Sequence, residues 1–336
     1  MSLENLLNEL PRDASPKEIV QLAWDKYVTT NGPTDLDKWI NREQFPFTQT
    51  PVDNILPDEV IEDRQKVFTQ AVNIYDSLGE MWRISNKDSL LLNMNKVEKH
   101  KCKNVFISLY PSYQIDAYAF RSYRGDHIIL LHFPINDFLY RLMFPIMQMI
   151  MGISRPNLDS LKSELNNIWY GRTTPPKPVP KSETEALTLF YLMKAGTFFI
   201  LGHEFGHIIK EHNGYTNKKI ANHSAEYDAD KIGTELLFKA WATGTYLDEN
   251  FETKTYNESH YIYGLVAPVI IFGGFSLLNN KESITHPSPT NRIQKFINYH
   301  NQYFPSENTW SPNDFRQYDN SLSVFQDLFT LYNSNT

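Results

Sequence analysis

The chain has 336 residues, of which 41% are hydrophobic and 14% aromatic, enough to bury a core in one large domain or two. Its net charge of -7 and the lack of any long basic run argue against nucleic acid as a main partner. The single cysteine, Cys102, excludes an internal disulfide bond and favours a cytoplasmic setting.

The first hundred residues carry no catalytic signature. They are polar and are predicted to form helices at 16–29 and 58–84. The first apolar run is short and is followed by Pro11-Arg12-Asp13, so we expect no signal peptide. We therefore predict a helical module at 1–100, which recognises a substrate or braces the rest, and a second domain at 101–336.

Alternating apolar and polar residues predict short strands at 105–110 and 118–123. Arg124-Gly125-Asp126 is typical of a turn, and the apolar run after it predicts the returning strand of a hairpin. The sequence therefore predicts a small antiparallel or mixed sheet in a mostly helical chain.

A long helix is predicted from Ser182 to about Asn213. It contains no proline and is apolar on nearly every face, which is typical of a buried helix. Ser182, followed three residues later by Glu185, forms a capping box at its start, directly after a proline-rich run.

This helix carries His203-Glu204-Phe205-Gly206-His207. Two histidines four residues apart leave a helix on one face, where both rings can bind one metal ion, and Glu204 lies beside them as a candidate general base. Gly206 costs about 1 kcal/mol relative to alanine in a helix interior, and we expect it to make room for a strand or substrate. The alternative is a pair of ordinary core or surface histidines.

The first helix is predicted to break at Asn213-Gly214, and a second helix is predicted to begin near Asn222 or Ser224, both good N-cap residues. In an antiparallel hairpin, His207 would lie about 9 Å before the end of the first helix and Glu226 about 3 to 6 Å after the start of the second. Glu226 is therefore the best third ligand, with Asp228 and His223 as alternatives. Asp230, one turn further on, can accept a hydrogen bond from a ligating imidazole.

Residues 261–278 are eighteen residues without a charge, the threshold length for a membrane span. Pro268 and Gly273-Gly274 interrupt the run, and its flanks show no positive bias. We expect a buried core helix; the alternative is a membrane-associated protein.

A last helix is predicted after Ser288, an N-cap residue followed by Pro289. Arg292 in its first turn can bind a carboxylate with two hydrogen bonds, and Glu226 is the expected partner. His286, just before the helix, can donate a hydrogen bond to the oxyanion of a tetrahedral intermediate.

These segments together resemble a known group. His203 to His207, followed by Glu-x-x-Ala-Asp at 226–230, resembles the glutamate-ligated zinc peptidases of the HtpX and CAAX-prenyl-protease type. Residues 285–293 are similar to the His-Pro and Arg-Ile segment of that group, and 115–131 to its Asn-Ala-aromatic-Ala strand and hairpin, with Asp116 in place of the usual asparagine. Within this group, the order of motifs is most similar to the phage-exclusion peptidase family Lit.

The resemblance implies an α+β, mostly helical zincin-like fold with a small sheet beside the HExxH helix. It implies a zinc metalloprotease that holds Zn²⁺ with His203, His207 and Glu226, and a protein or peptide substrate bound as an extended strand along Ala117, Tyr118 and Ala119. The expected chemistry is hydrolysis of a peptide bond by zinc-activated water with Glu204 as general base.

Two other functions remain open at this point. One is a non-catalytic, metal-stabilised binding module, which predicts a closed site with a fourth ligand from His212, His223 or Asp228. The other is a membrane-associated quality-control protease.

Overall fold

The computed structural model describes residues 12–31, 87–110, 115–132, 134–170, 172, 174–175, 177–212, 223–240, 245–247, 253–255, 261–278 and 286–303. The helix predicted at 58–84 lies outside these residues.

Helices make up most of the described chain. They are α1 (Pro16–Asn31), α2 (Lys96–Cys102), α3 (Pro134–Ile150), α4 (Leu158–Trp169), α5 (Glu183–Ile209), α6 (His223–Phe238), α7 (Tyr261–Leu278) and α8 (Pro289–Tyr303). The strands are β1 (Phe106–Tyr110), β2 (Ala117–Arg121), β3 (His127–His132), β4 (Thr245–Leu247) and β5 (Thr253–Thr255). The predicted α+β class, mostly helical with a small sheet, is confirmed.

The larger sheet is mixed, with the strand order β1-β3-β2. β1 runs parallel to β3, whereas β2 runs antiparallel to it. The predicted turn joins β2 to β3: Gly125 has a φ of 90°, and the backbone N–H of Ser122 donates to the carbonyl of Asp126 at 2.8 Å. A side chain is disfavoured at such a φ, which accounts for the glycine.

The two faces of this sheet have different neighbours. α1 covers one face through a small cluster that includes Ile19, Val20, Phe120 and Ile128. The opposite face, with Leu131 and the two alanines of β2, joins the main core. The sheet therefore lies between α1 and the main core, and β2 packs directly against α5.

α5 is the central helix of the fold and contacts α2, α3, α6, α7 and β2. Its N-cap is Ser182, whose hydroxyl accepts from the backbone N–H of Glu185 at 3.2 Å. The return bond of the predicted capping box is shifted, because Glu185 accepts from the N–H of Lys181 rather than from that of Ser182.

The uncharged run at 261–278 forms α7, whose residues 264–274 are all buried. α7 packs against α5, α8, α3 and α4 as a core helix. Among the described residues, one helix is long and apolar enough to cross a membrane, namely α5 over Thr184–Ile209. Of its most apolar eighteen-residue stretch, 61% is buried inside the fold.

α5 ends about one turn earlier than predicted. Glu211 has a φ of 59°, the N–H of His212 donates to the carbonyl of His207 at 2.9 Å, and the N–H of Glu211 donates to that of Ile208. This is a Schellman ending with a glutamate in the left-handed position that glycine normally takes. Lys101 holds the turn by donating to the carbonyl of Ile209 and to the Glu211 carboxylate. The predicted 9 Å between His207 and the helix end is therefore wrong.

α5 and α6 approach each other closely because their contact is built from small residues. A Cβ on Gly206 would lie 2.7 Å from the Cα of Ala229, and one on Gly233 would lie 2.9 Å from the backbone nitrogen of His203. A Cβ on Gly202 would meet the Cα of Gly233 at 3.1 Å. The room at Gly206, expected to serve a strand or substrate, is filled by the backbone of α6.

Gly206→Ala should destabilise the protein by about 1 to 3 kcal/mol, because the added methyl group meets backbone that cannot move without separating the two helices. The steric loss outweighs the gain of about 1 kcal/mol that alanine brings through its higher helix propensity. Urea unfolding measures the change.

Gly196→Ala is the matched control on the same helix. Its Cβ would meet only side-chain methyl groups, the nearest being the flexible end of Met143. Equal stability of the Gly206→Ala and Gly196→Ala proteins would show that the close backbone contact does not limit the packing of α5 on α6.

Candidate metal centre

His203 and His207 lie one turn apart on α5, and their Nε2 atoms are 3.2 Å apart. Glu226 comes from the first turn of α6, with its two carboxylate oxygens 3.6 Å from the Nε2 atoms of His203 and His207 respectively. One ligand atom from each residue lies within 4.8 Å of the others, and this is the one such group among the described residues. The structure therefore brings these three predicted ligands together.

The spacing of these atoms fits a metal ion. Two nitrogens bound to one tetrahedral ion at about 2.0 to 2.1 Å lie about 3.3 to 3.4 Å apart, close to the spacing found here. Two facing imidazole nitrogens also cannot both be protonated at this distance without repulsion. Neutral histidines with both lone pairs directed at a shared cation remove that conflict.

The balance of charge also fits a divalent cation. Three carboxylates are buried in this region, those of Glu204, Glu226 and Asp230. Arg292, whose side chain is 14% exposed, is the cation that the described residues bring to them. Three carboxylates outnumber this one guanidinium, and an excess of buried negative charge is costly.

Asp230 and Arg292 form a pair behind His203. Nδ1 of His203 lies 2.8 Å from Asp230, whose carboxylate also accepts two hydrogen bonds from Arg292, at 2.6 and 2.8 Å. Burial alone would raise the pKa of Asp230, but the charge of Arg292 and the bonds from both neighbours lower it to about 2. Arg292 also lies 4.5 Å from the ring centre of Phe272. Its bidentate partner is Asp230 instead of the expected Glu226, which is 3.9 Å away.

His207 has a different neighbour, His212, with the two Nδ1 atoms 3.3 Å apart. Burial and the nearby His203 lower the pKa of His207 to about 2, which keeps its ring neutral. Nε2 of His212 points to Asp228 at 3.8 Å. His212, His223 and Asp228, considered above as further or substitute ligands, are not part of the group. Sequence reasoning missed the contact of His212 with His207 because it follows from the early end of α5.

Glu204 lies between the two histidines on α5 and is buried. Burial raises the pKa of Tyr118 on β2, and the charges of Asp116 and Glu204 raise it further. β2 packs against the helix that carries Glu204. The His286 side chain is half exposed, and its Nε2 lies 3.7 Å from Oε1 of Glu226. His286 thus borders the metal-ligand atoms, and Glu204 is the chain neighbour of His203 on α5.

Among the described strands, β2 lies at the edge of the sheet, and its pairing with β3 shows which of its backbone groups face outwards. The N–H of His132 donates to the carbonyl of Asp116. In an antiparallel ladder this direction alternates, so Tyr118 bonds towards β3 whereas Ala117 and Ala119 direct their N–H and C=O groups away from it. The N–H of Ala117 donates to the Asp116 carboxylate at 2.9 Å. No described residue bonds to the N–H of Ala119.

A family model described as Peptidase U49 matches residues 157–311, a little under half of the chain. The matched stretch contains α5, α6 and α8, and with them the two histidines, Glu226, Asp230 and Arg292. No curated protein and no solved structure gives a significant match. The match supports a peptidase.

Glu226→Ala should remove most of the bound metal, because two histidines alone leave a divalent ion with half of a tetrahedral ligand set. Elemental analysis of the purified and dialysed protein measures this loss. Glu235→Ala, which removes another carboxylate of α6, should keep the wild-type metal content. Full metal content in Glu226→Ala would transfer the role to Asp228 or His223.

Proposed function

We propose that the protein is a zinc-dependent endopeptidase. The observation that carries this is the convergence of His203, His207 and Glu226 beside the buried Glu204, within the stretch that matches a peptidase family. Two imidazoles and one carboxylate are a donor set typical of catalytic zinc. When bound, zinc acidifies water and polarises a carbonyl group, which is the chemistry that amide hydrolysis needs.

In this proposal Glu204 is the general base and later the general acid. It removes a proton from the attacking water and returns it to the leaving amine. His286 donates a hydrogen bond to the oxyanion that forms on the scissile carbonyl. Asp230 accepts the Nδ1 proton of His203, which leaves Nε2 of that ring free to bind metal.

The substrate is a protein or peptide that binds as an extended strand beside β2. The carbonyl of Ala117 and the N–H and carbonyl of Ala119 face the open side of the strand, and β2 packs against the helix that carries Glu204. An added strand uses these groups and brings its own backbone towards Glu204. The side chain of Tyr118, which lies between Ala117 and Ala119, also takes part in substrate binding.

The open coordination favours an enzyme over a structural metal site. A structural zinc site has four protein ligands, whereas the group here has three among the described residues, which leaves a position for water or substrate. The likeness to the Lit family and the Peptidase U49 match together favour a cytoplasmic protease of the Lit type that acts in phage defence.

Glu204→Gln should abolish peptide cleavage while the protein keeps its zinc, because glutamine occupies the same volume but cannot take up the proton. New protein termini, identified by mass spectrometry in cells that express the wild type and not in cells that express Glu204→Gln, identify the substrate and the cleavage site. Cleavage by Glu204→Gln at the wild-type rate would exclude Glu204 as the base.

Ala119→Pro tests the substrate strand. Proline removes an N–H on the open side of β2 without removing a bond to β3, and kcat/KM for the identified substrate should fall by about tenfold, the value of one hydrogen bond of about 1.4 kcal/mol. Ala119→Ser keeps the N–H and should retain wild-type kinetics. Wild-type kcat/KM in a folded Ala119→Pro protein would place the substrate elsewhere.

A further inference from the structure

The two histidines of the group are held in different ways. His203 is backed by the buried pair of Asp230 and Arg292. His207 has no carboxylate within hydrogen-bond distance of its Nδ1 among the described residues, and its Nδ1 lies opposite the Nδ1 of His212. A ligating histidine normally donates the proton of its second nitrogen to an acceptor, so His207 requires one as well.

We propose that His212 is the residue that positions His207, as a neutral hydrogen-bond acceptor that is itself oriented by Asp228. This inference rests on the proposed metal site. His207 binds metal through Nε2 and therefore carries its proton on Nδ1. His212 accepts that proton at its own Nδ1 and keeps its hydrogen on Nε2, which points at the Asp228 carboxylate 3.8 Å away.

The end of α5 builds this arrangement. In the Schellman turn, the backbone N–H of His212 donates to the carbonyl of His207 at 2.9 Å, so the two residues are joined through the backbone as well as through their rings. The ring centres are 5.5 Å apart with the planes inclined at 67°. A regular helix would carry residue 212 about 140° further around the axis than residue 207, away from that ring.

Glu211 and Lys101 keep the turn in place. A non-glycine residue at a φ of 59° is uncommon and is retained only where its surroundings hold it. Lys101 holds Glu211 in this conformation by donating to the carbonyl of Ile209 at 2.9 Å and to the Glu211 carboxylate at 2.7 Å. The position of His212 is thus determined by contacts on both sides of the turn.

His212 is not placed as a fourth ligand. Its Nδ1 faces the rear nitrogen of His207, and its Nε2 faces Asp228, so neither nitrogen is directed at the Nε2 atoms that converge with Glu226. The coordination position that the proposed chemistry needs for water or substrate therefore stays open.

The test is zinc affinity, measured on the full-length protein by competition with a chelating dye, together with the visible absorption spectrum of the cobalt-substituted protein. His212→Ala removes the acceptor and should weaken zinc binding about 10- to 100-fold and alter the cobalt spectrum. His212→Asn should restore affinity to within about threefold of the wild type, because its Oδ1 is as many bonds from the backbone as Nδ1 of histidine and accepts the same proton. Asp228→Asn should weaken binding less than His212→Ala does.

His100→Ala is the control, since it removes an exposed histidine on α2 and should leave zinc affinity and the cobalt spectrum unchanged. Thermal unfolding of each metal-free variant separates loss of the turn from loss of the hydrogen bond. A role in packing alone would lower the melting temperature of His212→Ala and leave its zinc affinity unchanged.

Wild-type zinc affinity in His212→Ala would overturn the proposal, as would equal losses in His212→Ala and His212→Asn. Unchanged affinity in Asp228→Asn would overturn the part assigned to Asp228. A wild-type protein that binds neither zinc nor cobalt would overturn this inference and the proposed function together. Tight zinc binding with the expected losses, but cleavage that survives Glu204→Gln, would overturn only the proposed role of Glu204 in catalysis.

Discussion

The close backbone contact between α5 and α6 is the constraint on which the candidate centre depends. Glu226 and Asp230 have short side chains, and they reach the histidines of α5 only because Gly202, Gly206 and Gly233 remove the methyl groups that would hold the helices apart. Packed helix axes usually lie about 8 to 10 Å apart, and the lower end of that range requires small residues at the contact. A cost of about 1 kcal/mol in helix propensity at each glycine is therefore offset by the approach it permits.

Burying so many carboxylates makes the stability of this region depend on its cations. Arg292 compensates Asp230 with two hydrogen bonds and stacks against Phe272, so this pair is satisfied within the protein. The charge of Arg292 is therefore only partly available to compensate the carboxylates of Glu204 and Glu226. A cation bound at Glu226 would therefore stabilise the folded state by mass action, because the unfolded chain lacks the convergent ligands. Cation binding and folding would thus be linked through the same few side chains.

Local spacing in the sequence predicted α1, α5, α6, α7 and α8, the small sheet, and the helix faces on which the candidate ligands lie. His203 and His207 are four residues apart, as are Glu226 and Asp230. This spacing places each pair on one face of its helix even where the predicted helix end is wrong. The end of α5 was not predictable, because a glutamate takes the left-handed position and Asn213-Gly214 carries the stronger stop signal. The expected partner of Arg292 was also wrong, since the choice between two carboxylates one turn apart is made by tertiary packing.

The two histidines consequently differ in how firmly they are held. Behind His203, the side chains of Asp230 and Arg292 are 3% and 14% exposed, and two hydrogen bonds join them. Behind His207, the contact passes to His212 and then to Asp228, whose side chain is 48% exposed. Charged hydrogen bonds in a buried setting are stronger and less adaptable than neutral ones near solvent. His203 is therefore the more firmly held of the two candidate ligands, and the orientation of His207 depends on a turn that Lys101 reaches from another helix. Any change that loosens this turn affects one ligand of the centre while the other keeps its place.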